Sequence, residues 1–153
     1  MISEATKAIL AGTVKEWNKF KTEQIKLSLV ANDIAAIASR IILEQLQFLK
    51  AQNIEVQCEN VETMSVLNVP IVVQPLIEAV FPNSKASVIL KCAGAGRMIV
   101  INPNLSISAG GTPITYEQLQ RAVPESFSSN AAEFVRDAFL NVARAGGKEG
   151  AAA

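Results

Sequence analysis

The sequence predicts an α+β fold with N-terminal helices, a mainly antiparallel sheet of about four or five short strands, and C-terminal helices packed on that sheet. Apolar residues recur at helical spacing near both ends of the chain and alternate with polar residues in its middle. The predicted helices therefore lie on either side of the predicted strands along the chain and do not alternate with them. This order is typical of α+β proteins.

Length and composition indicate one globular unit. The chain has 153 residues, of which 50% are hydrophobic, and a mean hydropathy of +0.27, so it can bury a substantial core. We assign a single domain to residues 1–145. Residues 146–153 are mostly glycine and alanine, and we expect them to form a flexible C-terminal tail.

Two helical patterns occupy the N-terminal third. Residues 3–22 predict a helix that Ser3 caps, with Trp17 and Phe20 among lysines. Residues 23–32 fit either a helix or a short strand. Because no glycine or proline interrupts the chain from Thr13 to Asn53, we favour one long helix or two helices with a slight break.

The most strongly patterned helix is predicted over residues 33–52. Asn32 or Asp33 is the expected N-cap, and Asn53 suits the left-handed position just after the end. The spacing of three and four residues predicts a broad apolar stripe. It comprises Ile34, Ile37, Ala38, Ile41, Ile42, Leu46 and Leu49.

Alternating residues predict strands after Asn53. Residues 54–58 form the first run, and residues 64–73 the second, in which Pro70 indicates an edge strand or a break. Residues 76–81 predict a short helical turn that ends at Pro82. A turn is expected at residues 82–84.

A hairpin is the clearest β prediction. Residues 87–92 and 98–101 are apolar runs, and the glycine-containing segment 93–97 separates them as a loop. A short strand is expected at residues 105–108.

Capping boxes predict the C-terminal helices. Thr115 with Gln118 starts a short helix that ends before Pro124, and Asn130 with Glu133 starts a second that runs to about Ala145.

The composition argues against the commonest enzyme mechanisms. The chain contains no histidine, so the usual general base and metal ligand are absent. Segment 94–96 lacks the following helix of a phosphate-binding loop and is better interpreted as a hairpin turn. Arg97 is a weak candidate for an anion site. We predict no cofactor and lean away from an enzyme.

Charge and cysteine content indicate a protein of the cytoplasm that does not bind nucleic acid. The 14 basic and 14 acidic residues cancel, which leaves little attraction for nucleic acid. The N-terminus does not resemble a signal peptide. Cys58 and Cys92 are expected to be buried thiols, although the sequence does not exclude a disulfide between them.

Acidic and basic residues are separated along the predicted strands. Only acids occur between residues 51 and 84, and only bases between residues 85 and 116. These segments can pair within one sheet or between subunits, and the sequence leaves both open.

High apolar content and zero net charge favour a structural or protein-interaction module that forms a homo-oligomer. The long helix carries apolar residues on more than one face, so we expect it to form the interface. The first helix is a second contact surface, for a protein partner or less plausibly a membrane. The alternative is a small-molecule-binding module with an apolar pocket between the long helix and the sheet. The interface candidates are Trp17, Phe20, Ile42, Leu46, Phe48 and Leu49.

Overall fold

One unbroken helix, α1 (Glu4–Ala51), forms the N-terminal third of the computed structural model. The structure describes the backbone of residues 1–152 and the side chains of residues 1–146. Apart from Gly146, the side chains of the expected tail at 146–153 therefore lie outside the described residues.

Of the two favoured interpretations, helix α1 confirms one long helix and not two helices with a break, and it excludes the alternative strand at residues 23–32. The Ser3 hydroxyl accepts a hydrogen bond from the Thr6 amide at 3.2 Å, as expected of an N-cap. The predicted cap at Asn32 or Asp33 is wrong, because the helix continues through both residues and their neighbours bond within it. Asn53 has a φ of 65°, as predicted for the residue after the helix.

Two antiparallel sheets follow. The smaller sheet has three strands in the order β1-β2-β3, and the larger has five in the order β4-β5-β6-β7-β8. Short helix α2 and helix α3 end the chain. The bounds are β1 Val56–Gln57, β2 Ser65–Val66, β3 Val69–Pro70, β4 Val72–Val80, β5 Asn83–Cys92, β6 Ala95–Ile101, β7 Ser106–Ser108, β8 Ile114–Thr115, α2 Tyr116–Arg121 and α3 Glu125–Ala152.

Strand β4 corrects the helical turn predicted at residues 76–81. Val72 to Val80 pair with β5 along their whole length, and this ladder overrides the weak local helical pattern. Pro75 is tolerated because β4 is an edge strand, where one side needs no backbone donor. Pro70 likewise lies in an edge strand, β3, as predicted.

The turn between β5 and β6 is shorter than the predicted loop. Cys92 pairs directly with Ala95, so only Ala93 and Gly94 connect the strands. Both have positive φ, 51° and 81°, as a two-residue type I′ turn requires. The hairpin itself is confirmed. Its strands, β5 and β6, are longer than the predicted runs at residues 87–92 and 98–101, because backbone pairing extends beyond the apolar residues.

The two C-terminal helices differ in how well their starts were predicted. The Thr115–Gln118 capping box of α2 is present. Helix α3 begins at Glu125, not at Asn130, because Pro124 suits a helix start and the amide of Phe127 already donates to its carbonyl at 3.0 Å. Phe127, Ala131 and Phe134 then face the core at helical spacing.

Helices α1 and α3 cover one face of the larger sheet. The core between them contains Ile34, Ile42, Val88, Ile99 and Phe134. Alternate residues on the other side of β4 and β6 stay exposed, as in an antiparallel sheet with one open face. Of the segregated charges, Glu78 lies directly opposite Lys85 on β4 and β5, a cross-strand arrangement within one chain.

Candidate interaction surfaces

The first turns of α1 project from the body. Residues 4–19 are exposed all round, and burial begins at Phe20. We call this segment the arm; at ~1.5 Å per residue it is about 24 Å long. It nevertheless carries large apolar side chains: Ile9, Leu10, Val14 and Trp17 are 74%, 46%, 57% and 47% exposed.

These four side chains form one stripe. At about 100° per residue they fall within an arc of about 140° on the helix. Lys7 borders the edge of the stripe nearest Val14, and Glu16 borders the edge nearest Ile9. The arm therefore has an apolar ridge with a basic and an acidic edge.

An aromatic cluster fixes the base of the arm. The ring centroid of Trp17 lies 5.4 Å from that of Phe20 and 5.9 Å from that of Phe81, which lies at the tip of the β4–β5 hairpin. Lys21 Nζ lies 5.0 Å from the Trp17 centroid, a cation–π contact. Trp17 thus contacts the body with one side and leaves the other in solvent.

An apolar groove lies between the C-terminal turns of α1 and the middle of α3. Its volume is about 470 Å³, and Glu44 and Arg136 stand at its margins. The Gln45 side chain lines it and donates from Nε2 to the Ser128 carbonyl at 2.9 Å, while its Oε1 is buried without a partner. The apolar lining includes Phe48, Leu49, Ile54, Val135, Phe139 and Leu140.

The structure buries some of the predicted interface residues and exposes others. Ile42 and Leu46 are fully buried in the core of the chain itself, so their assignment to an interface is wrong. They fail as candidates because α1 lies across the sheet at this point and the core takes up its inner stripe. Phe20 is also buried, in the aromatic cluster.

The remaining candidates lie on two separate surfaces. Trp17 lies on the arm, whereas Phe48, 65% exposed, and Leu49 line the groove. We expected an apolar pocket between the long helix and the sheet; the apolar groove described above lies between α1 and α3.

One surface was missed from the sequence. The open face of the larger sheet exposes Val72, Leu76, Met98 and Val100. Alternation along β4 was the available signal, but the helical turn predicted at residues 76–81 concealed it.

Arg97, the weak candidate for an anion site, is paired with groups of its own chain. Its Nη2 donates to Asp137 Oδ2 at 2.7 Å, its Nη1 donates to the Gly96 carbonyl at 2.9 Å, and Glu133 Oε2 lies 4.0 Å away. The hydrogen bonds from Arg97 and then from Arg136 lower the pKa of Asp137. With its guanidinium shared among acceptors of its own chain, Arg97 joins β6 to α3.

Two titratable side chains away from Arg97, Tyr116 and Cys92, have raised pKa values. Among residues with described side chains, no three His, Cys, Asp or Glu lie close enough to hold a metal ion. The Tyr116 hydroxyl donates to the Asp33 carboxylate, and burial followed by this bond raises the pKa of Tyr116 to about 12. Burial also raises the pKa of the Cys92 thiol, which disfavours the reactive thiolate.

Comparisons with known proteins assign no family to the chain. No protein-family model, curated protein or solved structure matches it. Within the described residues, no helix combines the length and apolar character needed to cross a membrane. The structure thus defines a class only: an α+β protein with a projecting helical arm and an interhelical groove.

Proposed function

We propose that this chain is a non-enzymatic structural or protein-interaction module that self-associates. The observation that carries the proposal is the arm, whose residues 4–19 contribute nothing to the core yet carry an apolar stripe. Most helical stability in proteins comes from tertiary packing of an apolar face, which residues 4–16 of the continuous helix α1 lack. Docking on another chain would stabilise the arm and remove its apolar side chains from water.

The second support for the proposal is the free energy that the arm's apolar side chains would gain on burial in an interface. Burying a large apolar side chain completely is worth roughly 1.5–3 kcal/mol. The four on the arm are 46–74% exposed, so burying each of them would gain part of that value. The chain has no net charge, so little electrostatic repulsion opposes association of its copies. This neutrality also supports a protein partner over nucleic acid.

A cytoplasmic location is part of the proposal. Cys58 and Cys92 are both buried and free, which is compatible with a compartment that keeps thiols reduced.

Light scattering coupled to gel filtration tests the proposal. We expect a mass that is a multiple of the 16.3 kDa chain, and a shift towards one chain for the double variant Leu10→Glu/Val14→Glu. Ala8→Glu is the matched control, because residue 8 lies on the opposite side of the same helix. A single-chain mass for the unmodified protein at every concentration would overturn the proposal.

The groove favours a second candidate function, the binding of a small apolar molecule. Its volume of about 470 Å³ lies within the range of ligand pockets, and its walls are largely apolar. Native mass spectrometry of freshly purified protein should then show an added mass that Phe48→Glu abolishes. If protein purified from several expression hosts shows only the mass of the chain itself, the small-molecule function is contradicted.

A further inference from the structure

We propose that the arm of one copy docks in the α1–α3 groove of a second copy. The inference rests on the proposed self-association and specifies its geometry. It joins the two apolar surfaces at opposite ends of α1, one a ridge and the other a groove.

The two surfaces match in length. From Ile9 to Trp17 the apolar stripe spans about 12 Å at ~1.5 Å per residue. The α3 wall of the groove extends from Ala132 to Leu140, also about 12 Å by the same rise. A helix whose apolar residues recur at intervals of three and four is the usual occupant of such a groove.

The arm cannot reach the groove of its own chain. Val14 and Leu49 belong to one continuous helix, which holds them about 50 Å apart at ~1.5 Å per residue. Any contact between these surfaces is therefore between two molecules.

The concave shape of the groove argues against a symmetric dimer in which the grooves of two copies face each other. Two copies of a concave surface placed face to face enclose a void, and a void forfeits the contacts that stabilise an interface. A protruding helix fills the groove, and the arm is an exposed apolar helix that the chain itself supplies.

The charges at the margins are complementary in one orientation. The α1 side of the groove carries Glu44 and the α3 side carries Arg136. Lys7 on the basic edge of the arm can face Glu44, while Glu16 on its acidic edge faces Arg136. Such rim pairs contribute little affinity, but they select the orientation in which the helix docks.

The contact has a consequence for assembly. Two copies that exchange arms reciprocally form a closed, two-fold symmetric dimer. If each copy instead gives its arm to the next one, the contact is heterologous and builds a ring or an open chain.

A mixing experiment tests this geometry. The arm variant is Leu10→Glu/Val14→Glu, and the groove variant is Phe48→Glu/Ala132→Glu; all four wild-type side chains are exposed, so both variants should fold, which circular dichroism checks. The matched controls are Ala8→Glu for the arm and Gln47→Glu for the groove. Each variant alone should associate about 30-fold more weakly than the unmodified chain.

An equimolar mixture of the two variants should regain a two-chain mass, because the groove variant supplies an intact arm and the arm variant an intact groove. If each variant is monomeric and the mixture stays monomeric, the arm–groove contact is overturned. It is also overturned if the groove variant still self-associates normally, although the proposed function then survives. If the unmodified chain is itself monomeric, both proposals fail together.

Discussion

Arg97 Nη2 lies 2.7 Å from Asp137 Oδ2, and this ion pair connects strand β6 to helix α3 across 40 residues of sequence. The other carboxylate oxygen of Asp137 accepts from Arg136 at 3.1 Å. Asp137 therefore receives charged hydrogen bonds on both oxygens, and its ionised form is favoured in the folded protein.

The first prediction concerns the pH dependence of this pair. The pKa of Asp137 is lowered in the folded state, so its contribution to stability is present above the unfolded pKa, about 3.9, and is lost as pH falls through the folded pKa. Asp137→Asn should therefore lower the urea midpoint at neutral pH. The difference from the unmodified protein should shrink below about pH 4.

The control for this titration is Glu117→Gln. Glu117 pairs with Arg121 at 2.7 Å, but both side chains are largely exposed within one helix, where such pairs are worth little. Urea midpoints of Asp137→Asn and unmodified protein that stay equally far apart at all pH values would contradict the prediction.

The second prediction concerns Tyr116, the one tyrosine of the chain. Its tyrosinate absorbance should appear with a midpoint near 12, because burial and the bond to Asp33 disfavour the anion. Since this pKa is raised on folding, the stability from Tyr116 is complete below the unfolded pKa of about 10 and falls as pH rises through the folded value. Asp33→Asn should bring the midpoint down.

The corresponding stability measurement uses Tyr116→Phe, which removes the hydroxyl and keeps the ring. Loss of this partly exposed hydrogen bond should cost about 1 kcal/mol at neutral pH. An unperturbed titration midpoint in the unmodified protein would show that the Tyr116–Asp33 bond does not form in solution.

The third prediction concerns the turn between β5 and β6. Ala93 has a φ of 51°, a conformation that costs a residue with a β-carbon roughly 1–2 kcal/mol. Ala93→Asn creates the Asn-Gly pair that type I′ turns prefer and should stabilise the protein by about 1 kcal/mol. Gly94→Ala, at a φ of 81°, should destabilise it by about 1 kcal/mol; thermal unfolding of both variants measures the two effects, and equal melting temperatures would refute this assignment.

The fourth prediction separates core from surface on α1. Leu46 is fully buried and Phe48 is 65% exposed, although the two are only two residues apart. Leu46→Glu buries an unpaired charge and should cost about 4 kcal/mol or more, enough to prevent folding. Phe48→Glu should fold with an unchanged circular dichroism spectrum; equal loss of structure in both variants would place Phe48 in the core.

Local patterns predicted the elements whose periodicity is long and unbroken. The apolar spacing of residues 33–52 and the lack of glycine or proline after Thr13 were enough to identify most of α1. The Thr115–Gln118 capping box likewise depends only on atoms three residues apart. Such features follow from the sequence because their energetics are local.

Tertiary structure decided where local signals were weak or ambiguous. Residues 76–80 pair as a strand because β5 offers them a complete ladder, and no short-range pattern records that partner. The same holds for the candidate surfaces. Trp17 and Leu46 both lie among apolar residues at helical spacing in the sequence, yet one lies on a projecting arm and the other in the core.

By itself the sequence determined the α+β class, the helical N-terminal third and the lack of histidine chemistry. Only the tertiary structure decided which apolar residues of α1 are buried within the chain. The sheet accommodates the inner stripe around Ile42, whereas the arm extends beyond the sheet and the groove opens towards α3. The physical reason is that periodicity gives the direction of a side chain on its helix, while burial depends on what lies opposite it.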